Sequence, residues 1–97
     1  MTYQVTFHRL VLKEDLPKLD VSVQRHIVST IRKKLVQDPE QYGHPLQGKL
    51  AGYWKLKISH YRVFYQIRQE QILVYVLAIG FRRDEEAYLT ATKRLLT

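Results

Sequence analysis

Apolar and polar residues alternate from Tyr3 to Phe7, with Tyr3, Val5 and Phe7 on one side and Gln4 and Thr6 on the other, the two-residue period of a half-buried strand. Leu12, Leu16 and Leu19 then follow helical spacing. Pro17 predicts an early end or kink there, because its ring leaves no backbone N–H to donate. A longer helix comes next: Val23, Ile27, Ile31 and Leu35 recur every four residues with Val28 beside them, Asp20 or Ser22 can cap its start, and Asp38-Pro39 stops it. Between Asp38 and Gly52 the chain carries Pro39, Gly43, Pro45, Gly48 and Gly52, which predicts a loop anchored to the core by Leu46 and Leu50.

Three further strands are predicted at Tyr53 to Ile58, Tyr61 to Arg68 and Ile72 to Ile79. The intervening turns, Ser59-His60 and Gln69-Glu70-Gln71, are short enough to make neighbours antiparallel. Gly80 is expected to break the last strand, and Asp84, Glu85 and Glu86 open a closing helix lined on one side by Ala87, Ala91 and Leu95. The fold class is therefore α+β: a small, mainly antiparallel four-stranded sheet with two N-terminal helices packed on one face and a C-terminal helix, in the order β-α-α-β-β-β-α. The opposite sheet face is expected to be free. Neither a repeat, a low-complexity tract nor a linker interrupts the pattern, so residues 1–97 read as one domain.

Composition narrows the function classes. At 97 residues with 45% hydrophobic content, the chain can bury one core and no second one. It has no cysteine, which excludes disulfides and thiolate metal sites. The amino terminus lacks a signal-peptide layout and no apolar run approaches the roughly 18 residues of a membrane span, so a soluble, cytoplasmic protein without membrane contact is expected. A net charge of +7 points to a polyanionic partner. From Gln41 to Gln69 there is no acidic residue, while Lys49, Lys55, Lys57, Arg62 and Arg68 all fall there.

Strand alternation places Lys55 and Lys57 on one face with Tyr53, and Trp54, Leu56 and Ile58 on the core side. In the next strand Tyr61, Val63, Tyr65 and Ile67 form the apolar set, leaving Arg62, Phe64, Gln66 and Arg68 on the other face. Solvated charges on an open sheet would look the same. A phosphate site is favoured by cations of one sign, the missing carboxylates, and interleaved aromatics in Tyr53, Phe64 and Tyr88. RNA offers phosphates, stackable bases and a reactive 2′-hydroxyl together. Of the four histidines no two have metal-ligand spacing. His60 lies nearest the cationic strand but reads first as a turn residue, and His8, His26 and His44 carry still less weight. Trp54 and Tyr65 read as core.

These residues resemble the RelE toxins of the RelE/ParE superfamily over nearly the whole chain. The resemblance runs through Leu16-Pro17-Lys18-Leu19, Lys34-Leu35 with Asp38-Pro39, Pro45-Leu46-Gln47-Gly48-Lys49-Leu50, Gly52-Tyr53-Trp54-Lys55-Leu56-Lys57, Tyr61-Arg62-Val63-Phe64-Tyr65 and Ile79-Gly80-Phe81-Arg82, followed by Tyr88. It implies a catalytic set of Lys55, Lys57, Arg62, Arg82 and Tyr88, with Lys49, Arg68, Arg83 and His60 as further RNA contacts. Arg83 could share the role of Arg82, and the acidic run Asp84-Glu85-Glu86 would temper the local field.

What the resemblance implies is cleavage of messenger RNA in the ribosomal A site. A 2′-hydroxyl attacks the adjacent phosphate, leaving a 2′,3′-cyclic phosphate and a 5′-hydroxyl, with no metal or cofactor. Lys57 would act as base, Lys55 and Arg62 would stabilise the phosphorane, Arg82 would hydrogen-bond the leaving oxygen, and Tyr88 would orient a base. The implied partners are messenger RNA on the bacterial ribosome and a cognate RelB-like antitoxin, which would join the toxin in a hetero-oligomer and mask the cationic face. Two rivals share the fold or the charge: a ParE-like inhibitor of DNA gyrase, and a non-catalytic RNA- or ribosome-binding module.

Overall fold

The computed structural model describes residues 2–81 and 84–96. One sheet runs in the order β1-β5-β4-β3-β2, where β1 is Gln4–Phe7, β2 His44–Pro45, β3 Tyr53–Ile58, β4 Tyr61–Arg68 and β5 Leu73–Phe81. Helices α1 (Val21–Leu35), α2 (Pro39–Tyr42) and α3 (Asp84–Arg94) accompany it. The α+β class and the mainly antiparallel sheet are as the sequence predicts. The sheet is larger and mixed, however: β1 runs parallel to β5, pairing Gln4 with Leu73 and Phe7 with Val76, and β2 adds a fifth strand beyond β3. A strand of two residues leaves no period to read.

The first helical segment departs most from its pattern. A wide π turn spans Val11–Asp15 and a 3-10 turn follows at Leu16–Lys18, where Pro17 has no N–H to continue a regular helix. The change of pitch turns Val11 and Asp15 inward beside Leu16 and leaves Leu12, expected in the core, 55% exposed. By contrast α1 keeps its predicted stripe, with Ile27, Ile31 and Leu35 fully buried. Each such side chain contributes about 1.5–3 kcal/mol relative to exposure. Of the two expected caps Asp20 holds the position and Ser22 lies inside the helix, but the Asp20 side chain makes no capping hydrogen bond; the Gln24 N–H donates to the Asp20 carbonyl at 2.9 Å and the Gln24 side-chain amide to the Leu19 carbonyl at 2.8 Å.

The helical turns and α1 cover one face of the sheet, meeting Leu56, Ile58, Val63, Tyr65, Val74, Val76 and Ile79. The other face, which the sequence predicts to be free, is covered. Leu50, Phe64, Leu77, Ala78, Ala87 and Ala91 form a second apolar layer under α3. A β-bulge makes this layer possible: Phe64 pairs with Ala78 but Tyr65 with Val76, so Leu77 is the extra residue, and Leu77 and Ala78 both turn toward α3.

Gly80 does not break β5, which continues to Phe81. Its role is spatial, because a Cβ at Gly80 would lie 3.0 Å from the Cβ of Ala87 and the bare backbone lets α3 settle on the strand. At its far end α3 is fixed by charge. The Arg94 guanidinium donates to the Asp15 carboxylate at 2.5 Å, and the same carboxylate oxygen accepts the Ile79 N–H at 2.8 Å. Both partners are more than nine-tenths buried. Such a pair holds only when its remaining valences are met, and Arg94 reaches the Leu77 carbonyl at 3.4 Å and Glu14 at 3.9 Å as well. α3 ends there, so Leu95, predicted to line the helix with Ala87 and Ala91, lies beyond it and is 38% exposed.

Candidate active site

Directly opposed residues in antiparallel strands share a face, so the register assembles the site in rows. One row is Lys57 on β3, Arg62 on β4 and Gly80 on β5. The next is His44 on β2, Lys55 on β3, Phe64 on β4 and Ala78 on β5. Since Phe64 and Ala78 lie beneath α3, all three cations belong to the α3 side of the sheet. Partners within a row stand about 4.5–5.5 Å apart at Cβ and successive rows about 6–7 Å apart. Three long cationic side chains at that spacing can converge on one phosphate.

Lys57 is exposed, while Lys55 and Arg62 are half-buried. One guanidinium nitrogen of Arg62 donates to the Tyr61 carbonyl at 3.1 Å. Phe64, expected to stack on RNA, is only 1% exposed and packs against α3. The sequence could not separate a face that is solvated from one covered by a helix beginning twenty residues later.

The other expected contacts are scattered. Tyr88 is half-buried at the edge of the second layer, its hydroxyl donating to the Gln47 carbonyl at 3.3 Å. Gly48, at φ +68°, brings its backbone under that hydroxyl. Lys49 follows in the same 3-10 turn, Gly48–Leu50, exposed above the buried Leu50. Arg68 lies at the opposite end of β4 from Arg62, six residues or roughly 20 Å away, bonded to Gln66 at 2.9 Å and stacked 4.8 Å over the Tyr75 ring. The geometry does not gather it with the lysines. Tyr53 shares that Arg68 end; burial raises its phenol pKa, with the Arg68 charge opposing. His60 sits in the β3–β4 turn with its ring 6.4 Å from Phe81, a residue paired with Tyr61 and so on the other face. Arg82 and Arg83 lie outside the described residues.

One residue was underweighted. His44 is directly opposed to Lys55 on the cationic face; its strand is too short to announce itself, so the sequence left it in a loop. The arrangement as a whole offers fixed positive charge without a carboxylate from Gln41 to Gln69. It suits an anion that becomes more negative as it reacts, as a phosphate does on the way to a phosphorane.

The chain and its fold have counterparts among known proteins. The family model for the ParE toxin of type II toxin–antitoxin systems matches residues 5–86. The mRNA interferase toxin RelE of Escherichia coli is 35% identical over 100 residues, covering 99% of this chain and 100% of that protein. Among solved structures, the toxin–antitoxin complex RelBE2 from Mycobacterium tuberculosis superposes with a TM-score of 0.79 at 29% identity, over 84% of this chain and 93% of that one. A free-state arginine double variant of the Escherichia coli toxin RelE superposes at 0.76 with 27% identity, over 98% and 99% of the two chains.

Proposed function

This chain belongs to the RelE/ParE toxin superfamily, and on that premise we propose that it is a single-domain endoribonuclease toxin of a toxin–antitoxin pair that cuts messenger RNA in the ribosomal A site. The observation that carries the reading is the Lys57–Arg62 cross-strand pair with Lys55 on the same face, in a chain similar over its full length to an mRNA interferase. The family model is named for ParE toxins, but a gyrase inhibitor would have no evident need for that cationic row.

In this mechanism Lys55 and Arg62 hold the scissile phosphate and stabilise the phosphorane, each such donor being worth about 10²–10³ in rate. Lys57 takes the role of base that the family resemblance gives it, Arg82 hydrogen-bonds the leaving oxygen, and Tyr88 orients a neighbouring nucleobase. Lys49 and His60 supply outlying RNA contacts. The chemistry runs on these side chains without a metal. An ordinary lysine, with a pKa of about 10.4, has only a small unprotonated fraction near neutrality to act as base, so much of the acceleration comes from the ribosome holding the messenger in line for attack. The neutralising partner is a RelB-like antitoxin, as in the RelBE2 complex. Place of action is the cytoplasm, and no described helix is long and apolar enough to cross a membrane.

Primer extension on a defined messenger in reconstituted translation, with and without ribosomes, tests the reading. Codon-phased cuts that need ribosomes and fade in Arg62→Ala and Arg82→Ala support it. An intact messenger with translation at the toxin-free level refutes it and directs attention to gyrase.

A further inference from the structure

Phe81 has no part in the mechanism above, and packing does not account for its position. Beyond the Lys57–Arg62–Gly80 row the register forms one more row, Ile58 on β3, Tyr61 on β4 and Phe81 on β5. Strand alternation turns this row away from α3. Ile58 is buried in the layer beneath α1 and Tyr61 packs against that layer, yet Phe81 is 52% exposed. One exposed apolar side chain is ordinary on a protein surface. A phenylalanine held rigidly at the edge of a cationic site is a different matter.

The ring is braced from two sides. Tyr61 meets it edge-on, with centroids 5.5 Å apart and planes at 81°, and the His60 ring lies 6.4 Å away at 34°. His60 is itself set by a tight turn in which Ser59 takes the left-handed backbone at φ +53°. Phe81 follows Gly80 directly, so its Cα is about 3.8 Å from a member of the cationic row. One guanidinium nitrogen of Arg62 donates to the Tyr61 carbonyl at 3.1 Å, which draws that cation toward the same end of the strands. Passing from the side-chain layer of one sheet face to that of the other takes about 10 Å, a distance that a nucleotide bridges from its phosphate to the far edge of its base.

We propose that Phe81, braced by Tyr61 and His60, is a stacking platform for a messenger nucleobase next to the scissile phosphate; this rests on the endoribonuclease reading above. The base is not the one that Tyr88 orients, since Tyr88 sits on α3 with its hydroxyl on the Gln47 carbonyl. In sequence and register Phe81 is flanked by polar or charged side chains, Lys57, Ser59, His60 and Arg62. The apolar area is therefore one ring wide, which suits a base and is narrow for an apolar protein segment. Cations for the phosphate beside a ring for the base are the two elements of single-strand recognition. Every base has a face to stack, so the platform accepts any of them, but the larger face of a purine gains more. Phe81 would then bias which messengers are cut, without touching the reacting atoms.

The test uses ribosomes programmed with a messenger that carries 2-aminopurine, whose fluorescence falls when it stacks, on one or the other side of the scissile phosphate. A 2′-deoxynucleotide at the scissile position removes the attacking hydroxyl, so no cut occurs. Wild type, Phe81→Leu and Phe81→Trp are compared for quenching, and for single-turnover cleavage of the all-ribose messenger. Wild type and Phe81→Trp should quench the probe at one flanking position. Phe81→Leu should lose the quench, keep its urea midpoint, and need about 5- to 150-fold more toxin for half-maximal cleavage, with the larger loss where that position holds a purine. Equal quenching or equal half-saturation in wild type and Phe81→Leu overturns the platform. So does a loss that Phe81→Trp shares together with a lowered midpoint, the mark of a packing role, or a loss confined to antitoxin affinity, which gives the ring to that partner. A wild type that cuts without quenching at either position removes the platform alone; one that neither cuts nor quenches removes the endoribonuclease reading with it.

Discussion

On the α1 side of the sheet, Ile27, Ile31, Leu35, Val63, Val74 and Val76 are all fully buried, and the hydroxyl of the buried Tyr65 among them is met by a backbone carbonyl. On the α3 side, small residues at Ala78, Gly80, Ala87 and Ala91 let a helix approach closely. The same face ends in Lys55, Lys57 and Arg62, and the helix is tied down at its other end by the buried Asp15–Arg94 pair. One face is held by area, the other by a few directed contacts. Damage to the first should therefore be graded, whereas damage to the second should be abrupt and specific.

The sharpest break in that contrast is Asp15→Ala, which leaves Arg94 charged and buried without its carboxylate and should cost about 3–5 kcal/mol, read as a lower urea midpoint. Next in size, Arg62→Ala should slow single-turnover cleavage by about 10²–10³ while shifting stability by less than about 1 kcal/mol, separating function from folding on the same face. On the α1 side, Tyr65→Phe strands the Pro39 carbonyl and should cost about 1–3 kcal/mol in chemical denaturation, with cleavage at saturating toxin largely retained.

The smallest effect is on acid stability. Burial, then the Arg94 and Arg9 charges, holds the His8 pKa below its ordinary value, with Asp15 opposing. The Leu10 N–H donates to its Nδ1 at 3.0 Å, which also favours the neutral ring. Because the folded pKa is the lower one, the unfolded chain binds the proton first as pH falls below about 6.5. Stability from this group is complete above that value and drains away as pH falls through the folded pKa. His8→Asn should flatten that part of a pH–midpoint curve; an unchanged slope would place the acid sensitivity elsewhere.

Periodic segments were legible and long-range ones were not. The α1 stripe and the β3–β4 hairpin follow from period alone, and with them the shared face of Lys55, Lys57 and Arg62. The Leu77 bulge, the continuation of β5 through Gly80 and the burial of Phe64 depend on a helix whose position no local pattern encodes. The Asp15–Arg94 pair joins residues 79 positions apart, a separation that no local pattern reports. His44 was passed over because two residues of strand are too few to show on which face a side chain falls.

The parallel pairing of β1 with β5 has a further consequence in time. The first strand is made early but must wait for Leu73 to Val76 before it has a neighbour, and Asp15 waits longer still for Arg94. Contacts so distant along the chain make closure a late event and a slow one. Until residues 73–94 are present, β1 has no partner and Asp15 no counter-ion, so a copy cut short before Arg94 keeps a buried carboxylate without its counter-charge.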